Sequence, residues 1–497
     1  METPYEQESL DSAIEVSLET VKKRAVRGVA ILTGRGFLLN GVAQVSQLFL
    51  LAFLSPSELG TFWIVSAAVA FLIYFSDIGL AAALIQKKEK PSESDLATTF
   101  TIQQSLVLVL LLVLYFISPY LVRVYGLTDE GRMLIYALGI SLFLSSLKSI
   151  PSVLLERKLM FGKFVLPEIL ENLFYNLTVV YLAWKGFGIT SFTYAVIVRG
   201  IVGVVAIYIL QPWKPEIAFN KNAVKSLLKF GVPYQVNTLV SVVKDQGITL
   251  ILGGILGQAA IGYLGSAMRL SQIPLRLFMD NVTKVSFPAF SRLQGQKKEL
   301  AKSVTMSVQF ICFLVFPSLI GFIMIVPNLM VILPKYQKWE PALLPLYIVS
   351  INVIFAAVAT QLTNMLTAIG KIGVVIKLTI MYTALTIILV PYLASKYDFT
   401  GAAWGYAMVG MSSIVAIWVA KRQVNFSLLD SFVKPLLAAL IMGGIIYWVR
   451  GVVEPTSINT AGMVILGGMV YSFGSIMIIG PSILRDGKKI IYNFLGK

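Results

Sequence analysis

Apolar stretches of about 20 residues follow one another from Val29 to Ile483, separated by short basic or polar punctuation. A run of 18 or more apolar residues is long enough to cross a ~30 Å hydrocarbon core. The pattern predicts an all-α, polytopic membrane protein with 14 transmembrane helices. The first six spans are placed at about 29–54, 59–85, 97–121, 132–155, 165–184 and 188–211. The second six are placed at about 224–256, 259–290, 303–333, 341–368, 372–395 and 400–420. A final pair covers about 433–450 and 459–483. Little sequence remains for a soluble domain, so whatever the chain does, it does inside the membrane.

The basic residues test this map. With the N-terminus placed in the cytoplasm, 27 of the 41 Lys and Arg residues fall in cytoplasmic segments and 7 in external ones. Loops this short obey the positive-inside rule, so both termini are expected in the cytoplasm. The net charge of +16 is thereby accounted for by the membrane, and nucleic acid is not expected as a partner. No span-like apolar run opens the chain, so no cleavable signal peptide is expected in residues 1–21. Ile14–Arg27 reads as an amphipathic interfacial helix. The chain has no histidine, and Cys312 is its single cysteine. A histidine relay, an intramolecular disulfide and a thiolate metal cluster are all excluded, and no metal site is expected.

An internal repeat divides the map. The corner between spans 1 and 2 reads Leu54-Ser-Pro-Ser-Glu-Leu59-Gly60-Thr-Phe62, and that between spans 7 and 8 reads Leu256-Gly-Gln-Ala-Ala-Ile261-Gly262-Tyr-Leu264. Leu54 maps to Leu256, Leu59 to Ile261, Gly60 to Gly262 and Gln44 to Gln246, all at an offset of 202 residues. The same offset separates the two six-helix sets. An even number of helices per copy makes the repeats parallel, an arrangement that frames a central site in transporters. The expected organisation is a cytoplasmic segment (1–28), an N-lobe (29–211), a cytoplasmic linker (212–223), a C-lobe (224–420), a C-terminal helix pair (421–483) and a cytoplasmic tail (484–497).

Charges inside the spans carry the functional question, because each costs roughly 2.5–3.5 kcal/mol at mid-bilayer. Span 8 carries Arg269, Arg276, Asp280 and Lys284, which lie within about 80° of one another at 100° per residue. Asp280 is four residues from both Arg276 and Lys284, a spacing at which it can neutralise part of the stripe. Pro274 and Pro288 invite kinks in the same helix. Span 7 adds Lys244, Asp245 and Gln246; span 1 adds Arg35, Asn40, Gln44 and Gln47; span 6 adds Arg199. Span 5 carries Glu168, Glu171, Asn172 and Asn176, and span 2 carries Asp77 beside a break near Gly79. Lys148 and Lys284 sit near cytoplasmic ends, where long side chains snorkel to water. The resulting candidate cationic cavity comprises Arg35, Arg199, Lys244, Arg269, Arg276 and Lys284. It suits an anionic substrate such as a diphosphate, which Arg and Lys hold through charge-assisted hydrogen bonds. Asp77, Glu168, Glu171, Asp245 and Asp280 are candidates either for coupling to a cation, Na+ or H+, or for ion pairing that holds helices together.

Three stretches carry a family resemblance. Phe75-Ser-Asp77-Ile-Gly79-Leu-Ala-Ala-Ala-Leu-Ile-Gln86-Lys-Lys, the Leu59-Gly60 corner, and Pro151-Ser-Val-Leu-Leu-Glu156-Arg157-Lys-Leu-Met-Phe161 followed by Glu168 resemble motifs of bacterial polysaccharide transporters. The chain resembles the Wzx-type oligosaccharide flippases of the multidrug/oligosaccharidyl-lipid/polysaccharide exporter superfamily, closest in character to the branch associated with colanic and teichuronic acid export. The resemblance implies two six-helix lobes forming a V with two extra C-terminal helices. It also implies flipping of undecaprenyl-diphosphate-linked oligosaccharide between leaflets. The expected partners are that lipid-linked substrate, membrane lipids and polysaccharide polymerase machinery, with the chain itself a monomer and no cofactor. Two alternatives stand beside this one. A drug/cation antiporter of the same superfamily typically places a carboxylate in span 1, which has none here. A membrane-embedded polymerase needs a sizeable external loop, and no external loop exceeds about 15 residues. The chain is therefore not expected to be an enzyme.

Overall fold

The computed structural model of the chain describes residues 18–480 except Ile78 and Lys88, and leaves undescribed the side chains of residues 18–30, 222–223, 225–241 and 243–245 and of Leu32, Thr33, Phe75 and Asp77. Among the described residues every regular element is a helix, and there is no strand. In chain order the helices are α1 (Leu18–Phe53), α2 (Pro56–Ile73), α3 (Leu80–Gln86), α4 (Glu93–Tyr125), α5 (Asp129–Leu147), α6 (Ser149–Arg157), α7 (Phe161–Trp184) and α8 (Thr190–Leu210). Then come α9 (221–256), α10 (258–292), α11 (Lys297–Ile332), α12 (Leu343–Ala368), α13 (372–396), α14 (399–411), α15 (Ile414–Gln423), α16 (Lys434–Val452) and α17 (Ser457–Ile478). α3 and α6 are short, and α15 continues α14, which leaves the 14 membrane-length helices that the hydropathy pattern predicts. Residues 1–17 and 481–497 lie outside the described part. α1 runs unbroken from Leu18, so Lys22, Lys23, Arg24 and Arg27 ride on the first turns of that helix rather than on a separate one.

Local chemistry sets the boundaries. α2 begins with a capping box: the Ser55 hydroxyl accepts from the Glu58 backbone N–H, Glu58 reaches back to the Ser55 N–H, and Pro56 occupies the first turn. Ser92 and Asp95 repeat the device at the start of α4. Span 2 was expected to run to residue 85, but a 3-10 turn at Tyr74–Asp77 interrupts it, and Gly79 in the left-handed region (φ 70°) starts α3 afresh. Gly257 (φ 78°, ψ 179°) reverses the chain in a single residue between α9 and α10. It is the one non-helical residue between 221 and 292, so Pro274 and Pro288 sit within helical backbone.

The helices form two compact units, residues 1–262 and 263–497. In the first, α7 packs along α1 and α8, and α5 packs on α8. At one end of this unit Leu80, Leu84, Leu96, Phe100, Ile150 and Val153 bury one another, with Trp213 against Phe100. Arg157 closes that end by donating to the carbonyls of Leu84 (2.6 Å), Ile85 (3.1 Å), Lys87 (2.7 Å) and Glu89 (3.0 Å). It thereby caps the C-terminus of α3 and joins two of the stretches that carry the family resemblance. The second unit is built on α11, which packs against α12, α16 and α17 around Val308, Ile311, Cys312, Val315 and Phe316. A buried amide, Gln361, ties α10, α11 and α12 together by accepting from Ser286 and Ser307 (3.1 Å each) and donating to Thr283 (3.3 Å).

The repeat extends beyond the corners. After α8 the exit segment docks on α4, where the Ala218 N–H donates to the Thr101 hydroxyl, which itself donates to the Ala97 carbonyl. After α15 the Ser427 N–H donates to the Thr305 hydroxyl, which donates to the Ala301 carbonyl. One backbone orphan is satisfied in the same way, on the third helix of each set.

Candidate functional site

Among the described residues of the first unit, the intramembrane cations Arg35, Lys148 and Arg199 converge on α7. Its polar residues Glu168, Glu171, Asn172 and Asn176 recur at helical spacing, and three other helices bring cations to that face. Arg35 of α1 donates through Nη2 to Glu168 Oε1 at 2.7 Å. Lys148, at the end of α5, donates to Glu171 Oε1 at 2.5 Å. Arg199 of α8 lies with Nε 3.6 Å from Glu171 Oε2. Gly203 makes room for this carboxylate, since a Cβ there would sit 2.0 Å from Glu171 Oε1. Lys148 does not snorkel as expected: its side chain is largely buried, because Glu171 meets it at the same depth.

The second unit is arranged differently. Arg269, Arg276, Asp280 and Lys284 form an exposed stripe along α10. The expected neutralisation by Asp280 does not occur: among the described residues neither Asp280 nor Lys284 has an ion pair, and Arg276 donates instead to Gln272 Oε1 at 2.9 Å. Helical side chains lean toward the N-terminus, so Arg276 reaches Gln272 one turn back more readily than Asp280 one turn on. The side chains of Asp77, Lys244 and Asp245 lie outside the described residues.

A third feature joins the repeat-related corners. A Cβ on Gly60 would lie 1.7 Å from the Gln258 carbonyl oxygen, and one on Gly262 would lie 1.9 Å from that of Pro56. Gln258 stands 202 residues after Pro56, the repeat offset, so the contact is reciprocal in the manner of a two-fold interface. The Gln258 side chain secures it: the oxygen accepts from Ser57 and Thr61 (2.9 Å each), and the nitrogen donates to the carbonyls of Tyr125 (3.0 Å) and Gly126 (2.7 Å).

Sequence reasoning missed Gln258 and the pairing of Lys148. Both left a signal. Gln258 occupies the position that Pro56 holds in the first copy. Lys148 and Glu171 stand ten or so residues either side of one tight corner at Lys158–Met160, hence at equal depth at 1.5 Å per residue.

Residues 49–344 match the family described as polysaccharide biosynthesis protein. Among curated relatives, the chain is 23% identical over 432 residues to the succinoglycan biosynthesis transport protein ExoT of Rhizobium meliloti (strain 1021), covering 86% of each. It is 21% identical over 390 residues to the lipopolysaccharide biosynthesis protein WzxC of Escherichia coli (strain K12), covering 78% of this chain and 79% of that one. Among solved structures, the lipid II flippase MurJ in an inward closed conformation superposes with a TM-score of 0.71 at 18% identity, over 94% of this chain and 99% of that one. The chain thus belongs to the polysaccharide biosynthesis protein family, as the sequence motifs led one to expect, and it shares its fold with the MurJ structure.

Proposed function

We propose that this protein moves undecaprenyl-diphosphate-linked oligosaccharide from the inner to the outer leaflet of the cytoplasmic membrane by alternating access. The family, and relatives named for the transport or biosynthesis of succinoglycan and lipopolysaccharide, support the substrate class. One observation carries the chemistry. Arg35, Lys148 and Arg199 of the first unit face carboxylates, whereas Arg276 and Lys284 of α10 are exposed and have no ion pair among the described residues. An Arg and Lys stripe of this kind supplies charge-assisted donors to a diphosphate while the prenyl chain stays in lipid. Arg269 belongs to the same face. The basic loops favour both termini in the cytoplasm. In that orientation the Gly60–Gly262 corner lies at the outer end of the spans it joins. Among the described residues Asp280 has no ion pair, which makes it better suited to respond to a coupling cation than Glu168 and Glu171, which are engaged.

The test is the double substitution Arg269→Ala/Arg276→Ala in a host that depends on this protein for surface glycan. Surface glycan is expected to disappear while its lipid-linked repeat unit accumulates inside. Undiminished export by a variant present at normal levels in the membrane would refute the headgroup assignment.

A further inference from the structure

The Arg199 cluster is not spent in the way that the Arg35 pair is. Glu171 is buried, seated in the niche at Gly203, and holds Lys148 on one oxygen. Its other oxygen faces Nε of Arg199, the inner edge of the guanidinium. The guanidinium carbon stands 5.9 Å from the ring centre of Tyr175. The two terminal nitrogens of Arg199 have no partner among the described residues, and its side chain is 51% exposed. The exposed apolar residues Ile201, Val205 and Ile209 mark the lipid face of α8. At 100° per residue Arg199 lies on the order of 120° round the helix from them. Lipid-facing arginine at this depth is also the costliest option. Two cations against one carboxylate leave the cluster a single surplus positive charge.

We propose that Lys148, Glu171 and Arg199 form a second anion subsite, which recognises a carboxylate on a sugar of the transported glycan. This inference rests on the flippase reading above, with the diphosphate on the α10 stripe. Arg199 turns its Nε edge to Glu171, 3.6 Å away, and presents its outer fork, the geometry that binds a carboxylate with two parallel hydrogen bonds. One surplus charge matches one carboxylate, whereas a diphosphate calls for the richer stripe on α10. Glu171 is the positioning residue, fixing which edge of the guanidinium faces outward.

The test uses the full chain in proteoliposomes and two prenyl-diphosphate-linked tetrasaccharides, identical except that one sugar is glucuronic acid in the first and glucose in the second. At concentrations below saturation the wild type is expected to flip the acidic substrate about tenfold faster, the effect of roughly one charge-assisted pair. In Arg199→Gln that ratio falls to near one, and Glu171→Gln, which keeps the arginine but frees it, lowers it as well. Arg199→Lys preserves a cation for Glu171, and its single nitrogen cannot anchor and present at once, so the ratio falls there too. Arg276→Gln lowers both rates and keeps the ratio within twofold. A wild-type ratio near one, or a full ratio in Arg199→Lys, overturns the subsite. So does an Arg199→Gln variant in which both rates drop together with the ratio unchanged, since Arg199 then serves the diphosphate. If Arg276→Gln changes neither rate, the headgroup reading fails while the Arg199 result still stands or falls on its own ratio.

Discussion

The reciprocal corner makes a quantitative demand on Gly60. An alanine there would place its methyl carbon 1.7 Å from the Gln258 carbonyl oxygen. A tolerable carbon–oxygen contact is roughly 3.3 Å, so the corners must separate by on the order of 1.5 Å. The obstacle is backbone on a helix start and cannot rotate away. Such a shift stretches the Gln258 bonds to Ser57 and Thr61, now 2.9 Å, past hydrogen-bonding range. Losing those two, and straining the pair to Tyr125 and Gly126, costs about 3 kcal/mol at about 1 kcal/mol per bond. At 1.4 kcal/mol per decade, the population of open corners rises about a hundredfold. Cys312, the single cysteine, is fully buried, so a reporter introduced as Ala260→Cys, itself a buried position, can be read alone. In the Gly60→Ala background its labelling by a membrane-impermeant maleimide should accelerate by about that factor. Gly262→Ala should do the same by symmetry, and the double variant should add little, because one contact cannot be lost twice. Labelling within twofold of the parent would show that the corner is not held by the close approach of these glycines.

Two further outcomes follow from the end of the first unit capped by Arg157. Arg157→Ala leaves four carbonyls around the end of α3 without their donor and should destabilise the unit by about 3 kcal/mol; Arg157→Lys should recover little, because a single ammonium cannot span them, and limited proteolysis near residues 87–92 reports both. Burial raises the Glu156 carboxyl above the ordinary carboxylate range. Its folded state therefore favours the protonated form, a contribution present at low pH and lost as pH rises through the folded value. Glu156→Gln should melt above the wild type at neutral pH, with the difference closing on acidification; a difference independent of pH would refute the assignment.

The legibility of this chain was uneven for physical reasons. Membrane helices must satisfy their own backbone within hydrocarbon, so the hydropathy pattern, checked against the basic loops, predicted the 14 helices of the fold. Breaks within those spans were harder to place, because they turn on single residues such as Gly79 and on the Lys148–Ser149 step that separates α5 from α6. Periodicity is weak in helices that are apolar nearly all round, so it could not say which face of α7 or α10 meets protein. The repeat was visible as Gly60 and Gly262, but the reciprocal contact between them needed the fold. Arg157 was visible as a basic residue in a motif, yet its four carbonyl partners belong to backbone, on which sequence places no mark.

Pairing is what separates structural from functional charge here, and it predicts opposite signs for stability. In the first unit, Arg35, Lys148 and Arg199 meet Glu168 and Glu171, so the cost of carrying charge into the membrane is largely offset within the protein. On α10, Arg276, Asp280 and Lys284 have no such compensation among the described residues. At roughly 2.5–3.5 kcal/mol for a charge at mid-bilayer, less for Lys284 near a cytoplasmic end, they are retained at a net cost that water or an anionic ligand must relieve. Lys148→Met should therefore destabilise, by about 3 kcal/mol, because it strips a cation from a carboxylate that remains buried. Arg276→Leu should leave thermal stability in detergent unchanged or higher while export falls, the trade expected of a group kept for its ligand. Should Arg276→Leu unfold the protein as Lys148→Met does, the stripe on α10 would be a structural element like the α7 pairs, and the distinction between the two units would be lost.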